Sequence, residues 1–150
     1  MRILGMDYGR RRLGFAVSDE TALIARPLPT YRRSHAPATD LAHVARLTRS
    51  LDIHAVVIGL PLHMNGSKGE MAQEVEAFAA RLKSEISVPI HFWDERLSSH
   101  EAERVLLEGD VKRKDRKLLR DGLAATLILQ GYLDHQRQQA TPCEPPPADD

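Results

Sequence analysis

Four acidic residues at three places in this 150-residue chain stand where carboxylates need a reason. Asp7 closes the short apolar run Ile3-Leu4-Gly5-Met6, and Asp is depleted in strands. Asp94 and Glu95 follow a second apolar run, Val88-Pro89-Ile90-His91-Phe92-Trp93. Asp121 shares a helical stripe with Leu118, Ala125, Ile128 and Tyr132, spaced i, i+3, i+7, i+10 and i+14, which is otherwise apolar. An ionised carboxylate on a packed face is costly unless something pairs with it. Oxygen donors converging from separate elements suit Mg²⁺ or Mn²⁺, with open positions for phosphate and water. Cations held this way can activate a water and stabilise the leaving oxygen of a phosphodiester. The plain alternatives are a turn role for Asp7 and an ion pair from Asp121 to Lys117 or Arg96.

The elements that must position these groups can be read from periodicity. Ile3 to Met6 and Leu13 to Val17 flank Tyr8-Gly9-Arg10-Arg11-Arg12, which reads as a β-hairpin with a basic turn. After a turn at Asp19-Glu20, Thr21 to Tyr31 resumes an extended pattern, with Pro27 and Pro29 marking an edge. A helix follows from about Thr39 to Leu51, with Leu41, Val44, Leu47 and Leu51 at helical spacing. Ala55 to Gly59 is apolar throughout and therefore a central, parallel strand. It leads into the polar loop His63 to Gly69. A second helix carries Met71, Val75, Phe78, Ala79 and Leu82 on one stripe, and Val88 to Trp93 is the last strand.

Ser98 to Glu101 has capping-box spacing, which predicts a helix from Ser99 to about Glu108 closed by Gly109. Asp110 to Lys114 reads as a basic loop, and Asp115 as the cap of a long helix ending near Gln136. This order predicts an α/β fold: a mixed five-stranded sheet, three strands antiparallel and two parallel, with helices on both faces. Ligands of such sheets bind beyond the carboxyl ends of the parallel strands, where Asp7 and Asp94-Glu95 fall.

Composition bounds the class. Hydrophobic residues make up 42% and charged ones 28%, the balance of a globular domain. The lone Cys143 excludes a disulfide framework and a zinc cluster, which fits a reducing compartment. With no leader-like block and no membrane-length apolar run, a cytoplasmic protein without membrane partners is expected. Residues 139–150 form a Pro-rich acidic tail expected to be disordered, leaving residues 1–138 as one domain. The tail's three acids mask an excess of three positive charges on the rest. Those charges bunch at Arg10, Arg11 and Arg12 and again at Lys112, Arg113, Lys114, Arg116, Lys117 and Arg120. Such bunching points to a polyanion, with Arg96 and both clusters contacting its backbone. A solvated charged face is the bland counterpart.

Other features have readings of their own. The seven histidines lack zinc-ligand spacing, and only His63 falls in a loop where a site is expected. Ser98 is explained by a helix cap, with no general base indicated beside it. The first hairpin also resembles the phosphate-binding hairpin of actin-like ATPases and sugar kinases. Those proteins close a nucleotide between two such domains, and this length supplies one.

The stretches Leu4-Gly5-Met6-Asp7-Tyr8-Gly9, Gly14-Phe15-Ala16-Val17-Ser18-Asp19 and Ala25-Arg26-Pro27-Leu28 resemble the YqgF (RuvX) family. So do Val57-Ile58-Gly59-Leu60-Pro61-Leu62 with Asn65-Gly66, Asp94-Glu95-Arg96-Leu97-Ser98, and Asp121 with Ala124-Ala125. Together they cover nearly everything from Met1 to Leu133. Gly122-Leu123 departs from the small polar residues and alanine expected after the last carboxylate. The resemblance implies a ribonuclease H fold, with Asp7, Glu95 and Asp121 as catalytic, metal-binding carboxylates. It further implies a nuclease on structured RNA, maturing the 5′ end of 16S rRNA. A Holliday-junction-resolvase-like activity on branched DNA is the second expectation. A binding factor for ribosome assembly without catalysis is a third, from a different class. Neither monomer nor homodimer is favoured.

Overall fold

A computed structural model describes residues 1–97 and 113–140, with side chains of the last helix described from 122 to 139. Strands β1 (Arg2–Tyr8), β2 (Arg12–Ser18) and β3 (Ala25–Arg32) run antiparallel in succession. Helix α1 (Pro37–Ser50) leads to β4 (Ile53–Leu60), which pairs parallel with β1. Helix α2 (Glu70–Lys83) leads to β5 (Ile90–Asp94), parallel to β4, and a 3₁₀ turn, Glu95–Leu97, follows directly. Helix α3 (Arg113–Ala140) completes the described chain. The sheet order β3-β2-β1-β4-β5 puts β1 at the centre. This is the expected mixed five-stranded sheet.

Period-two alternation sends β1 side chains to two different cores. Leu4 and Met6 join Leu13, Phe15 and Ile58 under α1 and α2, all fully buried. Each contributes on the order of 1.5–3 kcal/mol by leaving water. Ile3 faces the other way, with Ala16, Ala55 and Val57, beneath Ala125, Ile128, Leu129 and Leu133 of α3. That second face is built of small residues so that α3 can come close. At Gly5 a Cβ would stand 2.7 Å from Leu129 Cβ and 3.2 Å from the Ala125 carbonyl oxygen, leaving room for hydrogen alone. Among the described residues, no helix is long and apolar enough to cross a membrane.

Several boundaries differ from expectation for local reasons. Residues 21–24 are not strand: Asp19 accepts hydrogen bonds from Thr21 Oγ1 and the Leu23 and Ile24 amides, with Ala22 at φ 58°, so the chain turns before Ala25. Helix α1 opens at Pro37, before the expected start at Thr39, since a proline at the first helical position lacks only a donor that has no helical partner anyway. Arg113, Lys114 and Asp115 lie within α3, so neither the loop ending at Lys114 nor the Asp115 cap is formed, and the helix runs to Ala140. The helix expected from Ser99 to Glu108 falls outside the described residues, as do Lys112 and most of the acidic tail.

Candidate active site

Asp7 lies on the α3 side of β1, two residues beyond Gly5, near the strand's carboxyl end. The register pairs Met6 with Ile58, which brings Asp7 level with Gly59 of β4, and Gly59 pairs in turn with Trp93 of β5. Glu95, first residue of the 3₁₀ turn, folds back across this row. Its Cγ and Oε2 sit only 2.8 Å from where a Cβ at Gly59 would stand. The bare Gly59 backbone is therefore the saddle over which Glu95 approaches Asp7. Burial pushes the Glu95 carboxyl up, and the charges of Asp7 and then Asp94 push it further, to about 7. Two carboxylates held this close without a cation repel each other.

Asp94 and Glu95 are adjacent in sequence but differ electrostatically. The Arg96 guanidinium binds the Asp94 carboxylate through Nε at 3.0 and 2.9 Å and Nη2 at 2.6 Å, and holds its pKa below the ordinary range. Arg96 Nη1 also donates to the Met64 carbonyl oxygen at 3.1 Å, tying the loop after β4 to this turn. The arginine expected on phosphate is thus engaged within the protein, although about a third of its side chain remains exposed. His63 packs on Gly69, whose Cβ would fall 2.5 Å from its Nε2, so the ring shapes the same loop.

Helix α3 brings the third carboxylate's backbone to this end of the sheet. Leu133 packs in the same cluster as Ile3, at the start of β1, while Ala125 sits over Gly5. The helix therefore runs antiparallel to β1. One further turn toward its N-terminus carries residue 121 to the level of Asp7. The Asp121 side chain lies outside the described residues, as do those of Arg113 and Lys114.

Beside Asp7 the basic turn opens a cleft of about 370 Å³ lined by Asp7, Gly9, Arg10, Arg11, Arg12 and Gly14. Gly14 pairs directly with Asp7, so the cleft floor carries no side chain there. Arg11 is exposed and Arg12 half-buried. Arg10 is drawn toward α2, with Nη2 2.5 Å from Glu74 Oε2 and 4.0 Å from Glu70 Oε1.

A pair between buried Asp40 and half-buried Arg33, not anticipated from sequence, secures this turn. Arg33 Nη1 donates to the Gly9 carbonyl oxygen at 3.2 Å, while its Nε meets Asp40 Oδ2 at 2.9 Å. The guanidinium lies 5.0 Å from the Tyr8 ring centroid and 5.4 Å from that of Phe78. Burial alone would raise the Asp40 carboxyl. The Ser34 amide, Arg33, and the Tyr31 and Ser34 hydroxyls hold it low instead. The only sequence signal was an acid in the first turn of α1, which reads as an ordinary helix-dipole residue.

Among the described residues no three His, Cys, Asp or Glu side chains form a metal cluster. The donor chemistry nevertheless fits a divalent cation: Asp7 and Glu95 are hard oxygen donors, and Glu95 has no described cationic partner to offset its neighbours' charge. A mixed sheet with carboxylates at the ends of its parallel strands and a helix laid across them defines the ribonuclease H-like class. The chain belongs to the RuvX family, described as Holliday junction resolvase, which it matches over residues 1–135. It is 47% identical over 138 residues to a protein of Moorella thermoacetica named "Putative pre-16S rRNA nuclease", covering 92% of this chain and 98% of that one. A relative of the same name from Halalkalibacterium halodurans is 46% identical over 138 residues, covering 91% and 99%. In fold, the chain is similar to Thermus thermophilus RuvC in complex with a Holliday junction substrate. The TM-score is 0.57 at 19% identity, covering 91% of this chain and 96% of that one.

Proposed function

We propose that this chain is a divalent-metal-dependent nuclease that matures the 5′ end of pre-16S rRNA in the cytoplasm. The observation that carries the reading is the approach of Glu95 to Asp7 across Gly59, beside a cleft rimmed by arginines. The name shared by relatives at 42–47% identity supports pre-rRNA as the substrate. Asp7 and Glu95 would hold Mg²⁺ or Mn²⁺ together with Asp121. When bound, the cation lowers the pKa of a water and offsets charge on the leaving oxygen. Arg11 and Arg12 orient the backbone in the cleft. Burial, and then the charges of Asp7 and Asp94, favour a protonated Glu95 in the metal-free site, and a bound cation would favour its carboxylate.

The family's description favours a second reading, resolution of four-way DNA junctions by the same carboxylates. Labelled RNA spanning the pre-16S 5′ end and labelled four-way DNA junctions, each with Mg²⁺, Mn²⁺ or EDTA, separate the two. Specific RNA cleavage that stops in EDTA is expected. Cleavage confined to junctions would replace the RNA reading, and cleavage persisting in excess chelator would end the metal-dependent one. Normal ribosome maturation with a cleavage-dead Asp7→Asn chain would instead mark a binding factor.

A further inference from the structure

Arg12 and Arg32 are direct cross-strand partners in the β2–β3 ladder. Opposed residues in a sheet share a face, and like charges placed this way destabilise the pairing. The face is the one that carries Asp7. Leu13 and Tyr31, the next pair, belong with the core under α1 and α2, so Arg12 and Arg32 point to the α3 side. The pairing is firmly made: the Arg33 amide donates to the Arg11 carbonyl oxygen at 2.9 Å, extending the ladder past the arginine pair, and Arg33 itself is staked to Asp40. Arg32 is exposed and has no ion-pair or hydrogen-bond partner among the described residues.

We propose that Arg32, with Arg12 across from it, forms a phosphate subsite for the nucleic-acid backbone, flanking the reacting position. The proposal rests on the nuclease reading and adds a residue to it. A rigid sheet end holding two guanidiniums on one face suits an anion with several acceptor oxygens, and arginine forks match phosphate geometry. Two strand spacings separate β1 from β3, about 10 Å. That offset places Arg32 on a neighbouring phosphate, beyond the one at Asp7. Its contribution is therefore to binding and register, not to the chemical step.

Strand β3 contains its own control. Arg26 is also exposed, but it pairs with Val17, whose side chain lies in the core under α1 and α2, so Arg26 is on the opposite face. Affinity for the labelled RNA and for the four-way junction is measured from about 50 to 200 mM salt for the parent, Arg32→Gln, Arg32→Lys and Arg26→Gln. Arg32→Gln should flatten the log–log salt slope by about one unit and raise KM several-fold with kcat unchanged. Arg26→Gln should match the parent, and Arg32→Lys should keep the slope while binding a few-fold more weakly. Because Arg32 is exposed, Arg32→Gln should melt at about the parent temperature. A steep parent slope that Arg32→Gln leaves unchanged, or that both glutamine variants flatten equally, overturns the subsite. A parent without salt-dependent binding to either nucleic acid overturns the nuclease reading as well.

Discussion

Glu95 lies across the backbone of Gly59, its Oε2 2.8 Å from the point a Cβ there would occupy. Ile128 Cδ1 presses on the same point at 2.6 Å. Gly59→Ala should push Glu95 away from Asp7 and lower kcat/KM at least tenfold, because small displacements of catalytic groups are expensive. The melting temperature should fall modestly, as for ordinary overpacking of about 1–3 kcal/mol. Activity within twofold of the parent would show that the saddle does not position Glu95.

The raised pKa of Glu95 makes a signed prediction for the metal-free protein. Its folded value of about 7 exceeds the ordinary 4.5, so the native state holds a proton that the unfolded chain releases. Stability should therefore decline as pH rises from about 4.5 through 7 and stay low above it, by about 1–3 kcal/mol from this group. Glu95→Gln should abolish cleavage and flatten that decline in urea titrations. Divalent cation should stabilise the parent more at pH 8 than at pH 5.5 and leave Glu95→Gln nearly unaffected. A parent whose metal-free stability rises across this window would contradict the assignment.

Asp121 can be tested through charge without loss of shape. If it shares a cation with Asp7 and Glu95, Asp121→Asn should be cleavage-dead yet melt at an equal or higher temperature in metal-free buffer, because one repelling charge is gone. If it is a structural ion pair, the same change strands its partner at about 3–5 kcal/mol. A clear drop in melting temperature with cleavage retained would remove Asp121 from the catalytic set.

The Arg33–Asp40 pair should behave as a stake under the basic turn. Arg33→Ala leaves a carboxylate that is 1% exposed without its cation and should cost about 3–5 kcal/mol. Arg33→Met with Asp40→Asn should recover much of that stability but not the affinity, since the Gly9 carbonyl oxygen still lacks its donor. In the parent, the lowered Asp40 pKa means that this contribution is present at neutral pH and lost as pH falls through the folded value. Full recovery of RNA affinity in the double variant would show that Arg33 does not hold the turn.

What could be read from sequence were the features written in periodicity. The alternation of β1, the apolar run of β4 and the stripes of α1 and α2 each place a side chain by residue type alone, and the mixed sheet of three antiparallel and two parallel strands followed. Close approach was not legible in the same way. Gly59 was visible as part of a short motif, but its purpose depends on Glu95 turning back over it, a contact between residues far apart in the chain. The Arg33–Asp40 pair likewise joins a strand end to a helix start, and each residue alone reads as surface charge. Asp115 misled because an acid before an apolar stripe resembles a cap, and α3 continues through it.

Strand β3 lies at the open margin of the sheet, where unpaired amides and carbonyls would ordinarily recruit a strand from another molecule. Pro27 and Pro29 take two donors out of that margin, and the irregular pairing between Leu28 and Tyr31 bends the strand there. Arg26 and Arg32 add charge to either face. The margin that borders the basic cleft is thus a poor template for self-association. A long polyanion could draw many copies of this chain together without zipping their sheets into aggregates.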